Sequence, residues 1–257
     1  IWHRHSRTMS NMLSEVLTIW DEILYGQIVY TTYQWISAEL DKVWIRVIRK
    51  TTIGDTGSEI LTGLAEAEKR AYIVLITGGL GPTNDDLTKP CLAKYFNSEI
   101  EMHDEALANL TAIYEKLGRE ITALNRKQAE LPKICDMIPN TVGTASGMWF
   151  DKEDKTFISM PGVPHEMKKM TIDHIIPRLQ EKYSTPVIYH KLIKTIGIGE
   201  SDLAILIETW EKDLPKHIKL AYLPSLGRVK LRLTAFGEDL KKIKKIGREH
   251  VWTPVTL

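Results

Sequence analysis

The run TGGLGPTNDDLT at residues 77–88 sets three glycines beside two carboxylates, directly after a β-branched apolar strand at residues 73–76. Gly78, Gly79 and Gly81 allow a turn with positive φ and let backbone N–H groups approach an anion, as in an oriented-amide nest. Asp85 and Asp86 add hard oxygens that suit magnesium bridging a diphosphate, and Thr83, between Gly81 and Asp85, is a candidate substrate contact. Thr88 is expected to N-cap the next helix, with Pro90 in its first turn, so that the helix dipole also faces the anion. A strand, glycine turn and capped helix also recur in α/β domains that bind no phosphate. The run is neither a GxxxxGK[ST] loop nor a GxGxxG fingerprint, because Gly81 is followed by Pro-Thr-Asn.

Other residues could join this chemistry. Asp21 and Glu22 follow the first strand, at the carboxyl edge where open α/β sheets bind ligands, and would hold a metal or orient a water. Asp55, after the second strand, would meet a ribose hydroxyl or merely form a turn. Asn125, Arg126 and Gln128 stand near a short helix that Thr122 can cap, and Arg126 would neutralise phosphate or face solvent. Residues 140–147, with Asn140, Gly143 and Ser146, have few side chains large enough for a core and would offer backbone groups to a ring or phosphate. In PGVPHEM, two prolines stiffen a turn around Gly162, and Glu166 at a helix N-terminus is either a metal ligand or a dipole partner. The 8 histidines show no HExxH pairing, so magnesium on oxygen ligands is preferred to zinc.

The elements that must position these residues alternate in the manner of a parallel-sheet α/β domain. Strands are expected at residues 15–19, 46–50, 73–76 and 156–160. Helices are expected at 31–40, 58–70 and 104–116, with a last one ending near 179. After Pro186 the pattern changes to a strand, a helix near 201–211 and a hairpin around 225–228, which reads as a separate α+β module. At 257 residues two domains are natural. The divisions expected are a tag-like or disordered lead at 1–13, a nucleotide domain at 14–180 and the small module at 184–257. A net charge of +1 argues against a dominant nucleic-acid or membrane-surface role. Cys91 and Cys135 lack CxxC spacing, no apolar run approaches the roughly 20 residues of a membrane span, and the opening residues lack a signal peptide's apolar core. A cytoplasmic protein is expected.

The glycine run, with DEILYGQIV, KTTIGD, LNRKQAELP, PNTVGTASG and MPGVPHEM in the same order, resembles the CinA (competence/damage-inducible protein A) family. TIGIGESDLA and LAYLPSLGRVKLRLT resemble that family's middle domain. The resemblance implies a three-layer molybdopterin-binding-like domain with a mostly parallel sheet, then a small KH-like α+β domain. It implies metal-dependent hydrolysis of the pyrophosphate of ADP-ribose to AMP and ribose 5-phosphate, no organic cofactor, and a homodimer. On that reading Asp86 is the first metal ligand and Asp85 the second, with Glu166 as a third candidate. Asp21 and Glu22 complete the catalytic set. Alternatives are a binding module that retains a pterin or nucleotide without turnover, and a scaffold or RNA contact through the KH-like part. Nucleic acid is disfavoured, since Gly197-Ile198-Gly199-Glu200 has the wrong spacing for a GxxG clamp and carries an acid. The family's frequent C-terminal nicotinamide mononucleotide deamidase domain does not fit before Leu257, so deamidation is not expected. Several positions depart from the family. Trp20 and Trp44 stand for glycine, Tyr72 for Asp and Ser146 for Pro, while Tyr30, Thr32 and Tyr33 replace polar or small residues. Trp20, beside the carboxylate pair, leads us to expect weak activity that Trp20→Gly would raise.

Overall fold

The computed structural model describes residues 12–19, 31–83, 85–185, 187–215, 218–225 and 227–237. Trp20, Asp21, Glu22, Tyr30 and the basic residues 241–245 therefore lie outside the described part. Two compact units divide the chain, one of residues 1–40 and 45–182, the other of 41–44 and 183–257.

The first unit is built on a six-stranded sheet in the order β2-β1-β3-β8-β7-β6. Its strands are β1 (Met12–Ile19), β2 (Ile45–Ile53), β3 (Ile73–Thr77), β6 (Asp136–Ile138), β7 (Gly147–Lys152) and β8 (Lys155–Met160). A separate ribbon pairs β4 (Ile100–Met102) with β5 (Glu130–Pro132). The pairs β2–β1, β1–β3 and β3–β8 are parallel, and β8–β7 and β7–β6 are antiparallel. β3 sits centrally, and all five of its residues are buried, as a short apolar run covered on both faces requires.

The helices are α1 (Thr31–Asp41), α2 (Gly57–Arg70), α3 (Thr88–Tyr95), α4 (Asp104–Lys116), α5 (Ala123–Arg126), α6 (Pro164–Met170) and α7 (Ile176–Tyr183), with a π-turn at Thr171–Ile175 between the last two. α2 buries Ile60, Leu64 and Ala67 at helical spacing in one cluster with Leu17, Ile19, Val74, Ile76 and Phe157 of the strands. The alternate strand residues Val16, Leu75, Ile158 and Met160 point to the opposite face and are equally buried. The Thr171 hydroxyl reaches the Met160 sulfur at 3.6 Å, which places the α6 end on that second face. Each face of the sheet is thus sealed by a helical layer. Across the strands, Glu15 is fully buried and held by Arg70 through two hydrogen bonds of 2.9 and 3.0 Å and by the Thr51 hydroxyl at 2.8 Å.

The second unit carries β9 (Val187–Ile196), α8 (Glu200–Leu206), α9 (Glu208–Lys212), β10 (Ile218–Ser225) and β11 (Arg228–Gly237). Its sheet is antiparallel in the order β10-β11-β9, and Leu203, Ile207, Val229 and Leu231 form part of its core. Gly227, with φ +71°, makes the turn of the expected hairpin. Trp44, just before β2, has φ +62°, a conformation that ordinarily favours glycine.

Candidate functional site

The four parallel strands β1, β2, β3 and β8 end at one edge, where Ile19 of β1 and the segments after the other three line a cleft of about 340 Å³. The volume is within the range of small-ligand sites. The glycine turn after β3 supplies Gly78, Gly79 and Gly81 to its wall. Gly78 has φ +100° and Gly79 φ +64°, and an added Cβ would overlap the Ile19 carbonyl at the first and the Thr88 hydroxyl at the second. Gly81 differs from expectation. Its φ is not in the left-handed region, and what glycine provides is room for the Asp86 carboxylate, which lies 2.5 Å from where a Cβ would stand.

Two further corrections concern the same turn. The Gly78 N–H donates to the Met160 carbonyl at 3.2 Å, so this amide is tied to β8. Thr88 does not cap α3. Leu87 is the cap residue, without a side-chain bond, and Thr88 is the buried first helical residue whose hydroxyl donates to the Gly78 carbonyl at 2.9 Å. It fixes the turn from behind, a long-range role that a local cap pattern does not signal.

Asp85 and Asp86 both line the cleft. One oxygen of Asp86 accepts the Thr83 hydroxyl at 2.6 Å and the Thr83 N–H at 3.0 Å, which sets the carboxylate's direction before any ligand arrives. Thr83 therefore meets the site through Asp86 and is not itself in the cleft wall. Asp55, Gln128, Gly162 and Glu166 do line it. Asn140, Gly143 and Ser146 are not part of the wall, and Asn140 and Ser146 are buried. Asn125 and Arg126 also lie outside the wall. Asn125 is engaged in the N-terminal cap of α5, where the Thr122 hydroxyl oxygen accepts its N–H at 3.2 Å, as the sequence predicts.

Among the described residues no group of three or more His, Cys, Asp or Glu side chains is arranged to hold a metal by itself. Asp85 and Asp86 still offer the one or two carboxylates with which magnesium is held when a substrate's phosphates and water supply the rest. The donor set fits that ion.

Sequence reasoning missed several contributors. Ile19, Leu80, Thr144 and Ala145 complete the walls. Lys89, in the first turn of α3, donates to the Lys127 carbonyl at 2.9 Å, joining α3 to the segment that bears Gln128. Burial holds the Lys89 ammonium below the usual lysine range, with the carboxylates of Glu130 and Asp86 acting against that shift. A lysine next to an acidic pair was visible in the sequence, but its 38-residue reach was not.

A mostly parallel sheet with a phosphate-type glycine turn and paired carboxylates at its carboxyl edge defines a molybdopterin-binding-like domain. The family described as "Probable molybdopterin binding domain" matches residues 15–181, and that described as "Damage-inducible protein CinA KH domain" matches residues 190–251. A CinA-like protein of Cytophaga hutchinsonii is 49% identical over 235 residues, covering 91% of this chain and 56% of that protein. One from Flavobacterium psychrophilum is 48% identical over 234 residues, with the same two shares. The chain thus spans little more than half the length of these relatives. The crystal structure of the protein CinA of Thermoplasma acidophilum, 31% identical, superposes with a TM-score of 0.58 over 68% of this chain and 99% of that one. The chain belongs to the CinA family. No described helix is long and apolar enough to cross a membrane.

Proposed function

We propose that the first unit hydrolyses the pyrophosphate of ADP-ribose with a divalent cation, releasing AMP and ribose 5-phosphate. The resemblance to the CinA family suggests the substrate. The observation that carries the chemistry is Asp86, fixed by two bonds from Thr83 and pressed on Gly81 inside a 340 Å³ cleft walled by the glycine turn.

In this reading the diphosphate lies along the turn at Gly79 and Gly81, near the N-terminus of α3, where backbone dipoles favour negative charge. Asp86, with Asp85, holds magnesium, which when bound offsets the charge of the diphosphate and of the departing phosphate. Asp21 or Glu22, which follow β1, orient a water in line with one phosphorus. The water oxygen bonds to that phosphorus, the bridging P–O bond breaks, and the bridging oxygen leaves with the second phosphate. One water is consumed, and its protons are shared between the two products and solvent. Gln128 and Asp55, which line the cleft, are assigned to the sugar hydroxyls.

Turnover of a panel of dinucleotides and nucleotide sugars across a magnesium titration tests this. ADP-ribose should be hydrolysed, and Asp86→Asn should cut the rate by about 10² to 10³, the scale of losing one electrostatic stabiliser. Tight binding of ADP-ribose without products would replace the hydrolase by a non-catalytic nucleotide module. Equal turnover in wild type and variant would remove Asp86 from the site.

A further inference from the structure

The loop between β6 and β7 forms one wall of the cleft through two small residues, Thr144 and Ala145. A loop that presents mainly backbone can recognise a ligand only if something fixes it, because a free segment loses conformational freedom on binding. The structure contains such a fixing device. Asn140 is 5% exposed, and its amide donates one hydrogen to the Ala145 carbonyl at 2.9 Å and the other to Glu166 Oε2 at 2.7 Å. Its oxygen accepts the Val142 N–H at 3.2 Å. Both amide hydrogens and the carbonyl oxygen are therefore in use.

Glu166 reaches this loop from the first turn of α6. Its carboxylate lies over Gly143 so closely that a Cβ there would overlap Oε2 and Cδ and stand 2.6 Å from Oε1. Only glycine lets the carboxylate rest on the backbone at that point. A charged acceptor opposite a buried amide makes the stronger, charge-assisted kind of hydrogen bond. The hydrogen bond from Asn140 uses Oε2 of this carboxylate.

We propose that Glu166 is a positioning residue, and that with Asn140 and Gly143 it clamps residues 140–145 so that Thr144 and Ala145 form a fixed wall for the nucleoside part of the ligand. The clamp is part of the folded protein before ligand binds. The identity of that ligand rests on the function proposed above, whereas the clamp itself does not. Preorganisation of this kind acts on binding and on orientation, not on the reacting atoms.

The test uses the full chain and the variants Glu166→Gln, Glu166→Ala and Gly143→Ala. Without ligand, amide hydrogen exchange at residues 141–145 should quicken by about tenfold or more in Glu166→Ala and Gly143→Ala. Glu166→Gln should keep the protection, since its side-chain carbonyl still accepts from Asn140. Titration with manganese should give the same affinity in Glu166→Gln as in the wild type. ADP-ribose titration should weaken about tenfold in the two alanine variants, and the glutamine variant should rescue it. Unchanged exchange in a folded Glu166→Ala protein overturns the clamp. A tenfold loss of manganese affinity in Glu166→Gln, with loop protection intact, makes Glu166 a metal ligand instead. A wild type that neither binds nor hydrolyses ADP-ribose would sink the proposed function while the exchange result still decides the clamp.

Discussion

Replacing Gly81 by alanine isolates the position of Asp86 from everything else in the glycine turn. The residue needs no left-handed backbone, so alanine brings no φ penalty. The new Cβ would stand 2.5 Å from Asp86 Oδ2 and 3.0 Å from its Cγ and Oδ1. To reach ordinary contact the carboxylate must withdraw by about 0.9 Å, which moves it from the position set by its 2.6 Å bond from the Thr83 hydroxyl. Asp86 is partly open to water, so solvent replaces much of what is lost, and the stability change should stay near 1 kcal/mol. A misplacement of about 1 Å is worth on the order of 10² in rate. Gly81→Ala should therefore unfold in urea close to wild type yet lose about 10² in kcat/KM for ADP-ribose hydrolysis. Gly78→Ala is the control. With φ +100° and the Ile19 carbonyl in the way, it should lose at least about 2 kcal/mol of stability. Wild-type turnover in Gly81→Ala would refute the argument that Asp86 must be held where it is. A collapse as large as that of Gly78→Ala would show that the backbone needs glycine there after all.

Other outcomes follow from the packing. Arg70→Met should cost about 3–5 kcal/mol in urea unfolding, because it strands the fully buried Glu15 carboxylate. Burial and the neighbouring Asp136 push the Cys135 thiol up to about 12 from 9.0, so it should resist thiol reagents at pH 8 until the protein unfolds. The unfolded chain ionises this thiol from about pH 9, so its contribution to stability is present below that pH and is lost as pH rises toward 12. A pH titration of the urea midpoint with Cys135→Ala as reference isolates this contribution. A fragment ending near Tyr183 should still bind ADP-ribose, since every described residue of the cleft wall lies before it. Isothermal titration of a fragment shown to be folded by circular dichroism checks this.

Local chemistry was legible in the sequence wherever a residue acts on its near neighbours. The strand at residues 73–76 follows from a β-branched apolar run and the helix at 104–116 from apolar periodicity, and Thr122 caps α5 through a bond three residues away. β7 is not legible, although MWF and TFISM flank a turn at Glu153, because its apolar run is only three residues long and follows directly on a segment of small and polar residues. What the sequence hid depends on contacts between distant segments. Thr88 serves Gly78, Lys89 serves Lys127, and Asn140 serves Glu166 across 26 residues. Gly81 and Gly143 were identified as site glycines, but the reason they must be glycine is a carboxylate resting on each. Trp44 stands at a positive φ, and nothing in the described contacts explains why an indole is tolerated there.

Hydrolysis in ¹⁸O-labelled water, with mass analysis of both products, tests the central claim most directly. ADP-ribose and magnesium with the intact chain should give equal amounts of AMP and ribose 5-phosphate, with one label in the phosphate of only one product per turnover. Absence of turnover, or products with an unlabelled phosphate and a cleaved glycosidic bond, would contradict attack on the pyrophosphate and with it the assignment of this cleft.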